Sequence, residues 1–223
     1  MPTRPEPPET NYYYHVFNRG ITNQDTFLND RDYQRAITTM PYYFQVSPKI
    51  RFSYFQRLSK EDRLRAASSS SPPVIKLAAY CLMPNHFHLL LKQVVDNGIS
   101  NFVRLFTNSY TRYFNTKHRR NGPLFQGRFK AVLIESEEQL IHVSRYIHLN
   151  PYSSGVVSSK QAVLSYPYSS IGEYLNPSKS SICEQSEVLS YFSPKNDYKS
   201  FVLSNADYQR ELQFIKHLTL DLN

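Results

Sequence analysis

Residues 74–94 read VIKLAAYCLMPNHFHLLLKQV, and this stretch decides how the chain folds. Its two apolar runs, Val74–Met83 and His86–Val94, have the length and composition of buried strands. Between them stand Pro84 and Asn85, which favour a tight turn because proline fixes φ and asparagine tolerates unusual backbone angles. The stretch therefore predicts a buried β-hairpin.

Further elements are predicted on both sides of the hairpin from apolar periodicity and from helix and turn signals. They are a strand over 12–18, a helix over 31–44 capped by Asn29-Asp30, a helix over 99–117, a strand over 124–134 interrupted at Gly127, and a helix over 135–149 that ends at Asn150-Pro151. The order β-α-β-β-α-β is the split βαβ pattern of ferredoxin-like folds. The sequence thus predicts an α+β protein, a ferredoxin-like antiparallel sheet with helices on one face.

Two segments fall outside this pattern. Residues 45–73 form an insert between the first helix and the hairpin, with a short charged helix near 60–67. After Pro151 the composition shifts to serine, proline and tyrosine, which predicts a helical and irregular C-terminal extension. We expect helices near 169–175 and 206–218, and we divide the chain into a domain over 1–157 and an extension over 158–223.

Basic charge is concentrated in the first two thirds of the chain. The net charge is +8, of which residues 151–223 contribute −1 and residues 1–150 contribute +9. No acidic residue stands between Asp96 and Glu135. A basic surface attracts polyanions, of which nucleic acid is the commonest inside cells. Charge alone fits a solvated basic face without a partner equally well.

The chain shows no run of eighteen apolar residues, so no membrane span is expected. Residues 1–11 are polar and rich in proline and lack the apolar stretch of a secretory signal. The sequence therefore favours an intracellular protein.

Two histidines stand on the return strand of the hairpin. Side chains of a strand alternate between its faces, so His86 and His88 share one face while Phe87 and Leu89 pack the other. Two adjacent imidazoles can bind a divalent metal without backbone distortion. An isolated His-x-His pair is more often a surface or core feature, so the pair alone does not establish a metal site.

A second set of polar residues follows a helix. His142, Tyr146 and Asn150 are four residues apart and line one stripe of the helix predicted over 135–149. A tyrosine one turn before an asparagine at a helix end is an unusual choice for a core stripe. Tyr146 is therefore a candidate functional residue, and a packed ring with its hydroxyl at the surface is the alternative.

The strand predicted over 124–134 has one polar, basic face. Gln126, Arg128 and Lys130 alternate there with small or apolar residues. Such a face is suited to charge-assisted hydrogen bonds with DNA phosphates. An exposed sheet face without a ligand is the simpler explanation.

Several motifs, taken in order, resemble a known family. The run MPNHFHLL at 83–90 resembles the His-hydrophobe-His motif of the HUH single-tyrosine transposases. Four further runs resemble the REP-associated tyrosine transposases of bacteria: YHVFNRG at 14–20, GPLFQGRFKA at 122–131, RYIHLNP at 145–151 and YPYSS at 166–170. The resemblance spans roughly residues 12–175, and the insert and the tail depart from it.

The resemblance implies that residues 1–157 are a catalytic domain that nicks and rejoins single-stranded DNA. Tyr146 matches the family's nucleophile, which attacks a phosphate to leave a 5′-phosphotyrosine and a free 3′-hydroxyl. His86 and His88 match its metal ligands, and we expect Asn150 as the third ligand, with His142 as its competitor. A site of this composition, with open positions for DNA oxygens, suits Mg²⁺ or Mn²⁺.

Single-stranded or hairpin-forming repeat DNA is the partner that the resemblance implies, for a bacterial protein that is cytoplasmic and nucleoid-associated. The sequence leaves monomer and homodimer open. The candidate DNA-binding residues are polar or basic: Arg19, Arg112, Lys117, Arg119, Arg120, Gln126, Arg128 and Lys130.

Three other functions fit the same residues. A domesticated relative that binds repeat DNA without cutting it would keep the fold and the basic face. A metal-dependent nuclease that uses water would need the histidine pair but not Tyr146. RNA in place of DNA fits the charge and the aromatic content.

Overall fold

The structure is a computed structural model that describes residues 7–45, 48, 50–67, 72–178, 180–193 and 197–212. Its strands are β1 (Tyr13–Arg19), β2 (Ile75–Met83), β3 (His86–Gln93) and β4 (Lys130–Ile134). They form one sheet in the order β2-β3-β1-β4, and each neighbouring pair is antiparallel. This is the order of a split βαβ sheet, so the predicted fold class is confirmed.

The helices occur largely where periodicity and turn signals predict them. They are α1 (Asp30–Thr39), α2 (Phe52–Phe55), α3 (Lys60–Ala67), α4 (Gly98–Lys117), α5 (Glu137–Ser153), α6 (Ile171–Leu175), α7 (Ser186–Leu189), α8 (Tyr198–Ser204) and α9 (206–212). Short 3-10 turns cover Ile21–Asn23, Pro41–Tyr43 and Gln161–Ser165. The helix predicted over 206–218 is present over 206–212, and its remaining residues lie outside the described ones, as do 46, 47, 49 and 68–71 of the insert.

The hairpin of β2 and β3 forms the centre of the molecule. Met83 pairs with His86 across the predicted turn. A β-bulge between Leu77 and Ala79 shifts the register of β2. Leu77 and Tyr80 are three positions apart, so regular alternation would place them on opposite faces. The extra residue of the bulge lets both side chains reach the same core.

One face of the sheet is covered by α1 and α4. Phe87 and Leu89 of β3 pack there against Phe102, Phe106 and Tyr110 of α4, and all five side chains are fully buried. Burying a side chain of this size contributes about 1.5–3 kcal/mol. The apolar stripe of α4 therefore fixes the helix on this face.

The other face is covered by α5 and by the C-terminal helices, which corrects the expectation of helices on one face only. Leu90 of β3, Leu140 and Ile147 of α5, and Tyr174 and Val202 of the extension share this second core. The sheet is buried on both sides because β2 is apolar at every position except Lys76 and β3 carries the apolar run Leu89, Leu90 and Leu91, whereas a sheet covered on one face alternates apolar and polar residues.

The extension also covers the outer edge of β2. Leu82 N donates to Tyr168 O at 2.8 Å, and Ser170 N donates to Tyr80 O at 3.0 Å. Tyr174 Oη donates to Ala78 O at 2.9 Å. These bonds satisfy backbone groups that an edge strand leaves unpaired. The division of the chain at residue 157 remains a prediction.

Two helix ends differ from the prediction. α1 ends at Thr39 instead of 44, because Pro41 has no N–H to continue the ladder and opens a 3-10 turn. α5 does not end at Asn150-Pro151 but continues to Ser153. Proline removes one hydrogen bond from the last turns, and the burial of Leu149 and Tyr152 in the second core offsets that loss.

The strand predicted over 124–134 is also shorter. It begins at Lys130, and its first half is irregular apart from one bridge between Phe125 and Gly20. Gly127 has φ of +22°, which interrupts the extended chain. The predicted alternation of Gln126, Arg128 and Lys130 on one strand face is therefore wrong, although all three side chains are exposed.

A buried polar network connects α5 to the extension. His148 is fully buried, with Nδ1 2.7 Å from Tyr198 Oη and Nε2 2.8 Å from Ser170 Oγ. Tyr198 Oη donates in turn to Ser144 Oγ at 2.9 Å. Burial lowers the pKa of His148 to about 3, so the ring is neutral in the folded protein.

Acid should therefore destabilise the protein through His148. Between the pKa of an unfolded histidine, about 6.5, and the folded value, the unfolded state binds the extra proton. Stability falls as the pH drops through this window, by about 1.4 kcal/mol per pH unit. The variant His148→Gln should show a shallower fall in the free energy of unfolding, measured by urea denaturation between pH 6.5 and 5. His142→Gln, at a half-buried position of α5, is the control, and equal slopes in His148→Gln and wild type would contradict the expectation.

Candidate active site

His86 and His88 project from β3 into the layer between the sheet and α5. Phe87 and Leu89 are buried in the core on the other face, so the pleat of the strand sends both imidazoles toward α5. His88 is 6% exposed and His86 is half-buried. The ring centroids lie 4.9 Å apart, with the planes at 88°. The two side chains share one face, as strand alternation predicts.

α5 carries Tyr146 across this face of the sheet. Leu140 and Ile147 are buried beneath the helix, and Tyr146 lies half-buried at the margin of that core. Its ring centroid is 5.7 Å from that of His88, with the planes at 87°. The structure therefore brings the tyrosine and the histidine pair together within one chain, although α4 and β4 separate them in sequence.

The C-terminal helices contact α5, the helix that carries Tyr146. Gln209 Nε2 donates to Tyr146 O at 3.2 Å and to Ser153 Oγ at 2.9 Å. The Arg145 guanidinium lies over the Phe201 ring at 4.3 Å. These contacts fix the position of α5 relative to the sheet.

Asn150 lies beside the histidine pair, whereas His142 does not contact it. Asn150 is 3% exposed, its Nδ2 donates to Tyr146 O at 3.3 Å, and its side chain is near enough to His86 to raise the pKa of that imidazole. His142 contacts Arg145, Glu138 and the ring of Phe201. Of the two expected competitors for a third metal ligand, Asn150 is the one that adjoins the imidazoles.

His15 on β1 is a member of the cluster that sequence reasoning missed. Its Nε2 lies 2.9 Å from His88 Nδ1, and its ring also meets Tyr146 at a centroid distance of 5.7 Å. Alternation in β1 places His15 and Phe17 on one face, which is a usable signal. The pattern of β1 alone does not show that β1 pairs with β3 or that this face lies beneath α5. The order of the strands in the sheet decides both.

All three imidazoles are held neutral. Burial lowers the pKa of His15 to about 4. Burial, assisted by the charge of Arg19, lowers the pKa of His86 to about 4, and the hydrogen bond with Asn150 opposes this shift. Burial and the neighbouring His86, His15 and Arg19 lower the pKa of His88 well below its ordinary value. A neutral imidazole keeps a lone pair, which metal coordination requires.

The donor set fits a divalent metal bound by His86, His88 and Asn150. Asn85 Oδ1 lies 2.6 Å from His86 Nδ1, and His15 Nε2 lies 2.9 Å from His88 Nδ1. With both Nδ1 atoms engaged in this way, Nε2 is the nitrogen that each ring would offer to a metal. Among the described residues, no three histidine, cysteine or acidic side chains are grouped to hold a metal.

Two cations border the cluster. Arg19 pairs with His86 in the register of β1 and β3, and Phe17 pairs with both His88 and Lys130. Lys130 Nζ lies over the Phe17 ring at 6.0 Å. Arg19 and Lys130 are exposed, so both charges are accessible to a phosphate that approaches Tyr146.

Four other predicted basic residues lie on the opposite face, on α4 and in the loop after it. Arg112, Arg119 and Arg120 line a cavity of about 790 Å³. Arg112 and Lys117 also line a neighbouring cavity of about 760 Å³, with four arginines from α1 and the insert: Arg31, Arg35, Arg51 and Arg57.

Two of these residues are engaged within the protein. Lys117 Nζ lies 2.6 Å from Asp32 Oδ1, and this pair joins α4 to α1. Burial would raise the pKa of Asp32, but hydrogen bonds from Lys117, Leu28 N and Tyr113 lower it below its ordinary value. Arg120 donates to Asn115 Oδ1 and to Pro123 O, which holds the loop after α4.

A third cavity, of about 940 Å³, connects the two faces around the edge of β4. Its lining includes Asn108 of α4 and Arg128. It also includes Phe17 and Lys130, which lie beside the active cluster formed by His15, His86, His88 and Tyr146. Asn108 also lines both cavities on the α4 face. Arg104 of α4, Arg128 and Lys130 therefore give this cavity a basic lining that extends from α4 to β4. Gln126 lies in the irregular segment before β4, where its backbone N–H donates to Arg19 O at 2.7 Å.

Residues 36–150 match the family described as "Transposase IS200 like". This chain belongs to the IS200-like transposase family. The matched range of this IS200-like transposase contains His86, His88 and Tyr146 and ends at Asn150. The family is one of DNA-processing proteins, which agrees with the basic surface.

Two relatives extend the comparison. A protein of Haemophilus influenzae named as a REP-associated tyrosine transposase is 30% identical over 142 residues, which are 58% of this chain and 78% of the relative. A solved REP-associated tyrosine transposase bound to a REP hairpin aligns with a TM-score of 0.56 at 15% identity, over 88% of this chain and 97% of that one. The second likeness shows a shared fold. None of the helices in the described ranges is long and apolar enough to cross a membrane.

Proposed function

We propose that this IS200-like transposase cleaves and rejoins single-stranded, hairpin-associated DNA through a covalent 5′-phosphotyrosine on Tyr146, with a divalent metal held by His86, His88 and Asn150. The observation that carries the proposal is the contact of the Tyr146 and His88 rings, whose centroids are 5.7 Å apart. A phenol and a pair of neutral imidazoles on one surface can act on the same phosphodiester.

The nucleophilic step transfers the phosphoryl group to the tyrosine. The hydroxyl oxygen of Tyr146 forms a bond to phosphorus, and the bond from phosphorus to the 3′ oxygen breaks. The phenol proton passes to solvent, and the departing 3′ oxygen takes up a proton to become a hydroxyl. Rejoining is the reverse reaction with an incoming 3′-hydroxyl, so the bond energy is kept and no nucleotide cofactor is consumed.

The protein must offset the cost of using a phenol at neutral pH, which is about 4 kcal/mol for ionisation of an ordinary tyrosine at pH 7. Holding a nucleophile in line can contribute about 7–11 kcal/mol. The bracing of α5 by Gln209 supports this orientation. When bound, Mg²⁺ or Mn²⁺ supplies charge neutralisation at the scissile phosphate. Arg19 and Lys130 add fixed positive charge at its margin.

The cations on the surface give the DNA a path to Tyr146. We assign Arg19, Arg128 and Lys130, with Gln126 beside them, to binding the DNA strand that enters the active cluster. Arg112 on α4 and Arg119 in the loop after it are exposed, and they bind the flanking DNA. Lys117 and Arg120 act mainly within the protein, as their bonds to Asp32 and Pro123 indicate.

A hairpin is the proposed partner because the solved relative of the same fold is bound to a REP hairpin. The contacting tyrosine and histidines belong to the same chain, so a second copy is not needed to complete the cluster. We place the protein in the bacterial cytoplasm with the nucleoid, where such DNA is found.

The variant Tyr146→Phe tests the nucleophile. It should form no covalent protein–DNA adduct on a denaturing gel with a hairpin oligonucleotide and Mn²⁺, because no oxygen remains to attack phosphorus. Its affinity for the same DNA, measured by fluorescence anisotropy, should stay close to wild type. An adduct that persists in Tyr146→Phe would show that another residue is the nucleophile. Cleavage without any adduct in the wild type would favour a nuclease that uses water, and binding without cleavage would favour a domesticated binding protein.

The variants His86→Ala and His88→Ala test the metal site. Each removes one proposed ligand, and loss of a residue that merely orients a ligand already costs about 10–100-fold in metal affinity or activity. We therefore expect Mn²⁺-dependent cleavage to fall by more than about 100-fold. His142→Ala, on the same helix stripe as Tyr146 but away from the cluster, is the matched control. Metal-dependent cleavage that survives in either variant at wild-type rate would refute the assignment.

Salt dependence tests the DNA path. The slope of log affinity against log salt falls by about 0.7–0.9 for each phosphate contact that is lost. Arg128→Ala, Lys130→Ala and Arg112→Ala should each show this decrease in anisotropy titrations between 50 and 200 mM salt. Lys160→Ala is the control, since Lys160 pairs with Asp207 in the extension at 2.7 Å. An unchanged slope would place the substituted residue off the DNA path.

A further inference from the structure

His15 and His88 form a close imidazole pair across β1 and β3. His15 Nε2 is 2.9 Å from His88 Nδ1, a hydrogen-bond distance, and the rings meet edge to edge, with centroids 5.0 Å apart and planes within 24° of each other. Phe17 lies beside both rings, at centroid distances of 5.0 Å from His15 and 5.7 Å from His88.

The hydrogen bond ties the two rings to one of two tautomers. In a pair of neutral imidazoles, one of the facing nitrogens carries the proton and the other the lone pair. If His88 donates through Nδ1–H, its Nε2 keeps the lone pair. If His15 donates, the proton of His88 is on Nε2 and the ring has no nitrogen free for a metal.

We propose that His15 is a positioning residue that accepts a hydrogen bond from Nδ1–H of His88 and thereby presents the Nε2 lone pair of His88 to the divalent ion. This inference rests on the metal centre of the proposed function. In this arrangement both proposed ligands donate a hydrogen bond through Nδ1–H. The acceptor for His86 is Asn85 Oδ1, which lies 2.6 Å from its Nδ1. Partners of this kind orient a ligand ring and raise its basicity.

The position of His15 also couples the ligand to the nucleophile. The centroids of His15 and His88 are each 5.7 Å from that of Tyr146, so the tyrosine ring meets both imidazoles at steep angles of 73° and 87°. A shift of His15 would therefore disturb both the orientation of His88 and the position of the Tyr146 ring.

Metal affinity separates an acceptor from a ring that merely packs. His15→Phe keeps an aromatic ring and removes the acceptor, and the affinity for Mn²⁺ without DNA, measured by isothermal titration calorimetry, should fall about 10–100-fold. His15→Gln retains an acceptor oxygen and should recover most of that loss. Phe17→Leu, which alters packing beside the same two rings, is the control and should bind Mn²⁺ nearly as the wild type does. Wild-type affinity in His15→Phe, or a loss in His15→Gln as large as in His15→Phe, overturns the proposal.

The tautomer of His88 gives a readout that needs no metal. Long-range ¹⁵N–¹H NMR spectra of the metal-free protein should show His88 protonated on Nδ1 in the wild type and in His15→Gln, and mixed tautomers in His15→Phe. A wild-type His88 protonated on Nε2 overturns the role of His15. A wild-type protein with the expected tautomer that binds no Mn²⁺ instead refutes the metal centre itself, and with it the purpose assigned to His15, so the two failures are distinguishable.

Discussion

The burial of the sheet on both faces is the constraint on which the rest of the structure depends. β3 is a central strand between two cores, and its period of two sends Phe87 and Leu89 to α4 and His86 and His88 to α5. A slip of one residue would bury the imidazoles under α4 and turn Phe87 and Leu89 toward α5, so the register is strongly determined. The active cluster is therefore a consequence of how the hydrophobic core is divided.

Placing polar groups in such a layer is unfavourable unless they are paired. The molecule meets this condition locally, with Asn85 beside His86 and His15 beside His88. The same burial lowers the pKa values of these histidines and keeps them neutral. Desolvation thus has two effects here, since it makes hydrogen-bond partners necessary and leaves a lone pair on each neutral ring.

The two faces of the sheet have different surfaces, which the edge strand β4 connects. One face presents the tyrosine, and the other presents the arginines of α4 and of the insert around two cavities. Arg128 and Lys130 line the cavity at the edge between them. Basic residues that look equivalent in sequence have different surroundings, because Lys117 neutralises a buried aspartate while Arg112 stays exposed.

By itself, the sequence determined the hairpin, the split βαβ order, the shared face of His86 and His88, and the stripe of Tyr146, since period and turn chemistry are local properties. Tertiary structure alone decided that α5 covers the second face, that Pro151 lies inside a helix, that the basic strand begins only at Lys130, and that His15 joins the cluster. Those outcomes depend on which strands become neighbours and which surfaces are buried together. Contacts between distant segments set both, and no local pattern encodes them.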